Sequence, residues 1–257
     1  MIHPTAIIAK GAELDSSVTV GPYCTIGPKV KIGKGTQLIS HVVVDGRTTI
    51  GEGNTFYPFS MIGAMPQDLK YKGEDTQLIV GNNNTIRESV TLNLGTVQGG
   101  GITSVGDQCL LMAYVHLGHD TRVANQCILA NGVQLAGHVT LEDQVTIGGL
   151  SAVAQFLKIG KHAYVVGHTG VEKSIPPFAV ALGSRPLVLR GANIVGLKRR
   201  GFKAETIQVI NEVIKLWCRA EVNKEQCLIE IESQYGDRPE VQQFLTFIKE
   251  SETGVVR

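Results

Sequence analysis

A chain of 257 residues with a net charge of only +1 has length for one large or two small domains, and its overall charge points to no acidic partner. Thirty glycines beside 5% aromatic residues suit a turn-rich solenoid whose interior has no room for rings. No basic segment followed by an apolar run opens the chain, and no stretch approaches the ~20 apolar residues of a membrane span, so a cytoplasmic protein without an integral membrane segment is expected.

From the start, every sixth residue is aliphatic or aromatic: Ile2, Ile8, Leu14, Val20, Ile26, Ile32, Leu38, Val44, Ile50, Phe56 and Ile62. The pattern breaks over about 63–79, where Gln67-Asp68-Leu69-Lys70-Tyr71 forms a polar cluster. It returns as Val80, Ile86 and Leu92, then breaks again over about 93–104 around Gly99, Gly100 and Gly101. The second break shifts the frame by one residue. From Val105 through Leu111, Leu117, Val123, Leu129, Leu135, Leu141, Ile147, Val153, Ile159 and Val165 to Val171 the period is unbroken.

Neither a helix nor an alternating strand has period six. A parallel β-helix does: short strands and turns wind into a three-sided prism that buries one aliphatic per side in each coil. The fourth residue after each aliphatic is usually small or β-branched (Val18, Cys24, Val90, Cys109, Cys127, Val133, Ala163), as a thin interior requires. Cysteines in such slots are reduced packing residues, and Cys218 and Cys227 lie in a helical region without CxxC spacing. The hexads stop at Pro176-Pro177, and a linker with Gly183, Pro186 and Gly191 follows. Ile207, Ile210, Ile214 and Trp217, then Val241, Leu245 and Ile248, fall at helical spacing and predict a tail that caps the open coil end. The division expected is therefore 1–185, a mainly β coil with two inserted loops, and 186–257, a small helical domain.

Three hexads make one coil, so residues eighteen apart stack about 4.8 Å from each other, the spacing of neighbouring strands. By this rule His119 lies beneath Gly137 and Gly137 beneath Gln155, while Asp120 lies beneath His138; His116 is three residues before His119. Imidazoles, a carboxylate and a backbone amide converge. Histidine can take a proton near neutral pH, a carboxylate can fix its tautomer, and an amide beside such a base suits acyl transfer. Two other readings compete: exposed histidines on a coil surface, and a zinc site across a trimer interface. His3, His41, His162 and His168 lack such company. Residues 155–220 hold eleven Lys/Arg against three Glu, an excess of +8 that is either solvated surface or a face for an acidic partner. No aromatic platform interleaves it, so nucleic acid is not expected.

These residues resemble the UDP-N-acetylglucosamine O-acyltransferases of lipid A synthesis, hexapeptide-repeat enzymes. The likeness runs through Gln67-Asp68-Leu69-Lys70-Tyr71, Gly95-Thr96-Val97-Gln98-Gly99-Gly100-Gly101, His116-Leu117-Gly118-His119-Asp120, Leu135-Ala136-Gly137-His138 and Gly196-Leu197-Lys198-Arg199-Arg200-Gly201-Phe202. It implies a left-handed parallel β-helix, a hand disfavoured by the usual crossover rule, in a homotrimer with sites between subunits. The implied reaction moves a 3-hydroxyacyl chain from acyl carrier protein to the sugar 3-hydroxyl, with no metal or other cofactor. By matching positions His119 is the base, Asp120 orients it and Gly137 supplies the oxyanion donor. Asp68, Lys70, His116 and His138 would hold sugar and phosphate, Gln155 would line the nucleotide cleft, and Asn193, Arg199 and Arg200 would bind uridine and diphosphate. Gly149 and Gly167 would border the acyl groove, and glycine at 167 leaves room for a longer chain. The acidic carrier gives the basic region a partner.

The chain departs from some relatives at Asn93-Leu94, at Ala154 and over Gly183 to Asn193. A related N-acyltransferase carries an extra domain before the coils, whereas hexads here begin at Ile2. An acetyl-CoA-dependent hexapeptide acetyltransferase shares the prism but does not account for the Asp68-Lys70 loop or Lys198-Arg199-Arg200. A non-catalytic or metal-binding β-helix trimer is the alternative from another class.

Overall fold

The computed structural model describes residues 1–257. Two-residue strands alternate with four-residue turns, and strands one coil apart pair in parallel, as in Ile128↔Thr146 and Gln134↔Ala152. Three parallel faces of nine, eight and ten strands result. The periodic aliphatics stack inside: Leu111, Leu129, Ile147 and Val165 on one side, Leu117, Leu135 and Val153 on the next, each at most 1% exposed. Burying one such side chain contributes about 2 kcal/mol, so the columns supply most of the cohesion. Asn54 and Asn84 take inward slots too, and the Asn54 carboxamide accepts from the Asn84 amide at 2.9 Å.

At most turns the third residue after the inward aliphatic has positive φ, and most of these are not glycine: Gln108, Tyr114, Asp120, Gln126, His138, Gln144 and Leu150 lie between 57° and 63°. Apart from that of Asp120, their amides donate to a carbonyl one coil below, as His138 does to His119 at 3.0 Å and Gln126 to Asp107 at 2.8 Å. A satisfied amide in every coil compensates the strained conformation.

Both excursions fall where the period breaks, within narrower bounds. Strands Met61–Ala64 and Gln77–Val80 flank the first, and Thr91–Asn93 and Ile102–Val105 the second. The coil also outlasts Pro176-Pro177, because strand Ala179–Leu182 pairs with Tyr164–Val165. The expected linker is an antiparallel hairpin: Val188–Ala192 pairs with Ala179–Leu182.

Four helices follow: α1 (Ile194–Arg199), α2 (Ala204–Trp217), α3 (Lys224–Tyr235) and α4 (Pro239–Lys249). The apolar spacing gives α2 and α4, but not α3, which buries only Cys227 and Ile231. The tail covers a flank of the coil as well as its end. Lys158 lies 5.1 Å from the Phe247 ring centre, and Val255 bridges Ser174.

Candidate active site

His119 and Asp120 occupy the turn after strand His116–Leu117, on the edge between the nine- and eight-stranded faces. The Asp120 carboxylate accepts three hydrogen bonds. The Thr96 amide donates to Oδ1 at 2.8 Å, and the Thr96 hydroxyl and His119 Nδ1 reach Oδ2 at 2.6 and 2.8 Å. A carboxylate only accepts, so Nδ1 of a neutral His119 carries the proton and Nε2 is left as the acceptor. The Asp120 side chain is 1% exposed and that of His119 12%, which keeps the pair dry yet reachable.

Gly137 lies directly above. A Cβ there would come within 2.6–3.1 Å of the His119 ring, so only glycine lets the imidazole take its place. Its neighbours Ala136 and His138 donate to Val153 and His119, whereas the Gly137 N–H has no acceptor. A free buried amide beside an imidazole has the placement that an oxyanion donor needs.

His138 stacks on Phe156 at 4.4 Å and meets His119 edge-on at 5.0 Å. Burial holds its pKa below the usual histidine range, helped by His119, while Asp120 and Asp68 oppose the shift. Asp68 in the first excursion lies close enough to His138 for its charge to act on the imidazole. Its carboxylate also takes the Lys70 amide at 3.0 Å, and Lys70 is exposed. The loop is fixed at its base, where Asp75 meets Lys29 at 3.1 Å and Arg47 at 3.2 Å. His116 pairs with the Thr91 hydroxyl at 2.7 Å, and burial lowers its pKa. Gln155 is exposed beside Phe156, whose amide donates to Gly137 at 3.3 Å.

Asn193, Arg199 and Arg200 lie elsewhere. Asn193 caps α1 by accepting from Gly196 at 3.1 Å, and all three line a cavity of about 730 Å³ with Ile128, Thr146, Tyr164 and Val180 of the ten-stranded face. Arg200 is partly buried, which lowers its pKa. One chain thus presents the residues expected to act on sugar and on nucleotide on different faces. Gly149 and Gly167 stack on a third locus, the edge between the ten- and nine-stranded faces; a Cβ on Gly167 would lie 3.1 Å from the Gly149 carbonyl.

His119, Asp120 and His138 offer ligand atoms within 4.8 Å of one another, so a metal can be considered. The donor set fits poorly. Two ligands about 2.0–2.2 Å from a tetrahedral zinc stand about 3.4 Å apart, whereas Nδ1 and Oδ2 are 2.8 Å apart, joined by a hydrogen bond on an oxygen that also accepts from the Thr96 hydroxyl.

Register arithmetic does not reveal the groups that hold Asp120. Thr96, Thr103 and Gly99 lie in or beside the second excursion, where eighteen-residue stacking fails. The Thr103 hydroxyl accepts from the Asp120 amide at 2.7 Å, and a Cβ on Gly99 would strike the Asp120 carboxyl carbon at 1.9 Å. The only signal was the residue type: small and hydroxyl side chains at an interruption of the repeat.

The family model described as UDP N-acetylglucosamine O-acyltransferase, domain 2, matches residues 175–256. A protein of Thermodesulfovibrio yellowstonii named acyl-[acyl-carrier-protein]–UDP-N-acetylglucosamine O-acyltransferase is 47% identical over 256 residues, 100% of this chain and 99% of that protein. The solved UDP-N-acetylglucosamine O-acyltransferase of Moraxella catarrhalis superposes with a TM-score of 0.96 at 41% identity, covering 100% of this chain and 99% of that one. The corresponding structure from Acinetobacter baumannii gives 0.96 at 43% identity, with the same coverage of 100% and 99%.

Proposed function

The chain belongs to the UDP-N-acetylglucosamine O-acyltransferase family, whose left-handed β-helix it shares, and on that premise we propose how its residues carry out the reaction. The enzyme transfers an acyl chain from acyl carrier protein to UDP-N-acetylglucosamine, the first step of lipid A biosynthesis. The donor chain is a 3-hydroxyacyl thioester and the acceptor is the sugar 3-hydroxyl. His119 Nε2 removes the hydroxyl proton as the oxygen attacks the thioester carbonyl, and the Gly137 N–H stabilises the oxyanion. Collapse expels the carrier thiolate, which the imidazolium protonates. Asp120 holds the ring and its positive charge. What carries this reading is the 2.8 Å contact between His119 Nδ1 and Asp120, which leaves Nε2 free.

Asp68, Lys70, His116 and His138 bind sugar and phosphate, Gln155 lines the cleft, and Asn193, Arg199 and Arg200 take uridine and diphosphate; arginine forks suit phosphate oxygens. Because the histidine edge and the arginine cavity are on different faces, a complete site joins two copies. A homotrimer supplies that neighbour, and the apolar edge bearing Tyr23, Phe59, Tyr114 and Leu150, each 61–67% exposed, supports it. Gly149 and Gly167 keep the acyl groove open on that edge. The coil of 1–185 carries the chemistry, and the basic stretch of 155–220, with its excess of +8, meets the acidic carrier protein. No helix is long and apolar enough to cross a membrane, and we assign the enzyme to the cytoplasm, where its carrier would be met.

His119→Ala, assayed with 3-hydroxyacyl carrier protein and UDP-N-acetylglucosamine, should lose roughly a hundredfold to ten-thousandfold in turnover with its oligomeric state unchanged. Turnover close to that of the parent enzyme would sink the assignment of His119 as base.

A further inference from the structure

Along the regular coil the positive-φ turn residue donates its amide to the carbonyl of the middle turn residue one coil below: Gln126 to Asp107, Gln144 to Asn125, Leu150 to Asn131, His168 to Gly149. Asp120 departs from this, as do Tyr23 and Gly35 near the start of the coil, whose amides go to the Thr5 and Ser17 hydroxyls. The coil beneath Asp120 is opened by the second excursion, and no backbone carbonyl is present to receive its amide. The Thr103 hydroxyl takes that role at 2.7 Å. The same excursion then turns over the side chain. Thr96 caps the short 3-10 turn Val97–Gly99, and its amide and hydroxyl grip the two carboxylate oxygens at 2.8 and 2.6 Å. Gly99 packs against the carboxyl so closely that any Cβ would overlap it. Thr96 is 1% and Asp120 4% exposed, so water does not substitute for these bonds.

We propose that Thr96 is a positioning residue of the acyl transfer: its hydroxyl and amide fix the Asp120 carboxylate in the orientation that keeps His119 protonated on Nδ1 and unprotonated on Nε2. The inference rests on His119 being the base. Without the Thr96 hydroxyl, the carboxylate keeps one anchor on Oδ1 and can swing about it. His119 then loses its fixed orientation, while nothing that touches substrate is altered.

Thr96→Val preserves the shape and the amide but removes the hydroxyl, and Thr96→Ser restores it. Both are measured beside His119→Ala for kcat and for KM toward each substrate. We expect Thr96→Val to lose roughly tenfold to a hundredfold in kcat, the rate equivalent of one hydrogen bond to a charged group, with both KM values nearly unchanged. Thr96→Ser should recover most of that loss, a rescue that a general packing role does not produce. If His119→Ala is inactive while Thr96→Val matches the parent, the Thr96 inference alone is overturned. A loss shared equally by Val and Ser, or a loss confined to KM, overturns it as well. An active His119→Ala overturns the base and the positioning role together.

Discussion

Asp120 and Gln126 stand at the same place in consecutive turns, three residues after an inward aliphatic, with φ of 60° and 57°. The Gln126 amide donates to Asp107 one coil below at 2.8 Å, its side chain donates to Gln108 at 2.8 Å and accepts from Gln144, and it is exposed. Asp120 has no coil carbonyl beneath it, is bonded by Thr96, Thr103 and His119, and is 4% exposed. The backbone conformation is shared, so it cannot be what sets the Asp120 turn apart from the Gln126 turn. The covering excursion does that. It removes water from the carboxylate, supplies donors to it, and so turns a repeat position into a fixed hydrogen-bond acceptor for an imidazole.

The most severe way to break this difference is Asp120→Asn, which keeps the shape and exchanges one oxygen for an NH2 group. The Thr96 amide can only donate, so the remaining oxygen must face it, and the NH2 must face His119. Nδ1 then has to accept, which puts the ring proton on Nε2, the atom proposed as the base. A loss in kcat on the order of a thousandfold to ten-thousandfold is expected, as for other misoriented catalytic histidines, with a melting temperature within a few degrees of the parent. Steady-state kinetics with a thermal melt decide it. A loss below tenfold would mean that the covered turn differs from the exposed one in burial alone.

The period of six gives the prism, the inward columns and the stacking of His119 with Gly137 and Asp120 with His138, because in an uninterrupted ladder sequence separation is distance. The same arithmetic fails at Thr96 and Thr103, since the excursion that makes them useful also breaks the register that would have located them. The hairpin of Ala179–Leu182 with Val188–Ala192 is not legible, because Gly183, Pro186 and Gly191 read equally well as a linker. Helix α3 escaped because its two buried side chains leave little periodicity. Asn193, Arg199 and Arg200 are legible through resemblance only; on a single chain no spacing rule connects them with the histidine edge, and the structure puts them on another face.

His162 sharpens the comparison from within the glutamine column itself, one coil above Gln144. There the tail provides a cover: His162 is 5% exposed, with Phe178 stacked at 5.7 Å and Phe202 edge-on at 5.0 Å. Burial, then the charges of Arg200 and Lys161, lower its pKa to about 4, with Asp143 opposing. The unfolded chain, with an ordinary value of about 6.5, therefore binds the proton more readily. Stability is full above that value and falls as pH drops from about 6.5 toward about 4. His162→Phe, which keeps an aromatic ring between the other two, should flatten this dependence. Urea midpoints at pH 7.5 and pH 5 test it through the difference between variant and parent, in which the same-signed contributions of His116 and His138 cancel. Equal pH dependence in the two proteins would remove His162 as its source.

The smallest effect is expected at the exposed turn. Gln126→Gly removes a side chain that bonds only to its neighbours in a solvated glutamine ladder, bonds that water replaces at little cost. Two backbone effects oppose each other. Glycine relieves a left-handed conformation that costs other residues about 1 kcal/mol, and it adds about 0.4–1 kcal/mol of entropy to the unfolded chain. The equivalent turn on the next edge already has glycine, Gly132 at φ 71°, so the coil accepts it. Stability should change by less than about 0.5 kcal/mol and kcat not at all, as read from urea unfolding and the same transfer assay. A measurable drop in kcat would mean that the glutamine edge and the histidine edge are coupled through the prism, and that the excursion is not the sole origin of their difference.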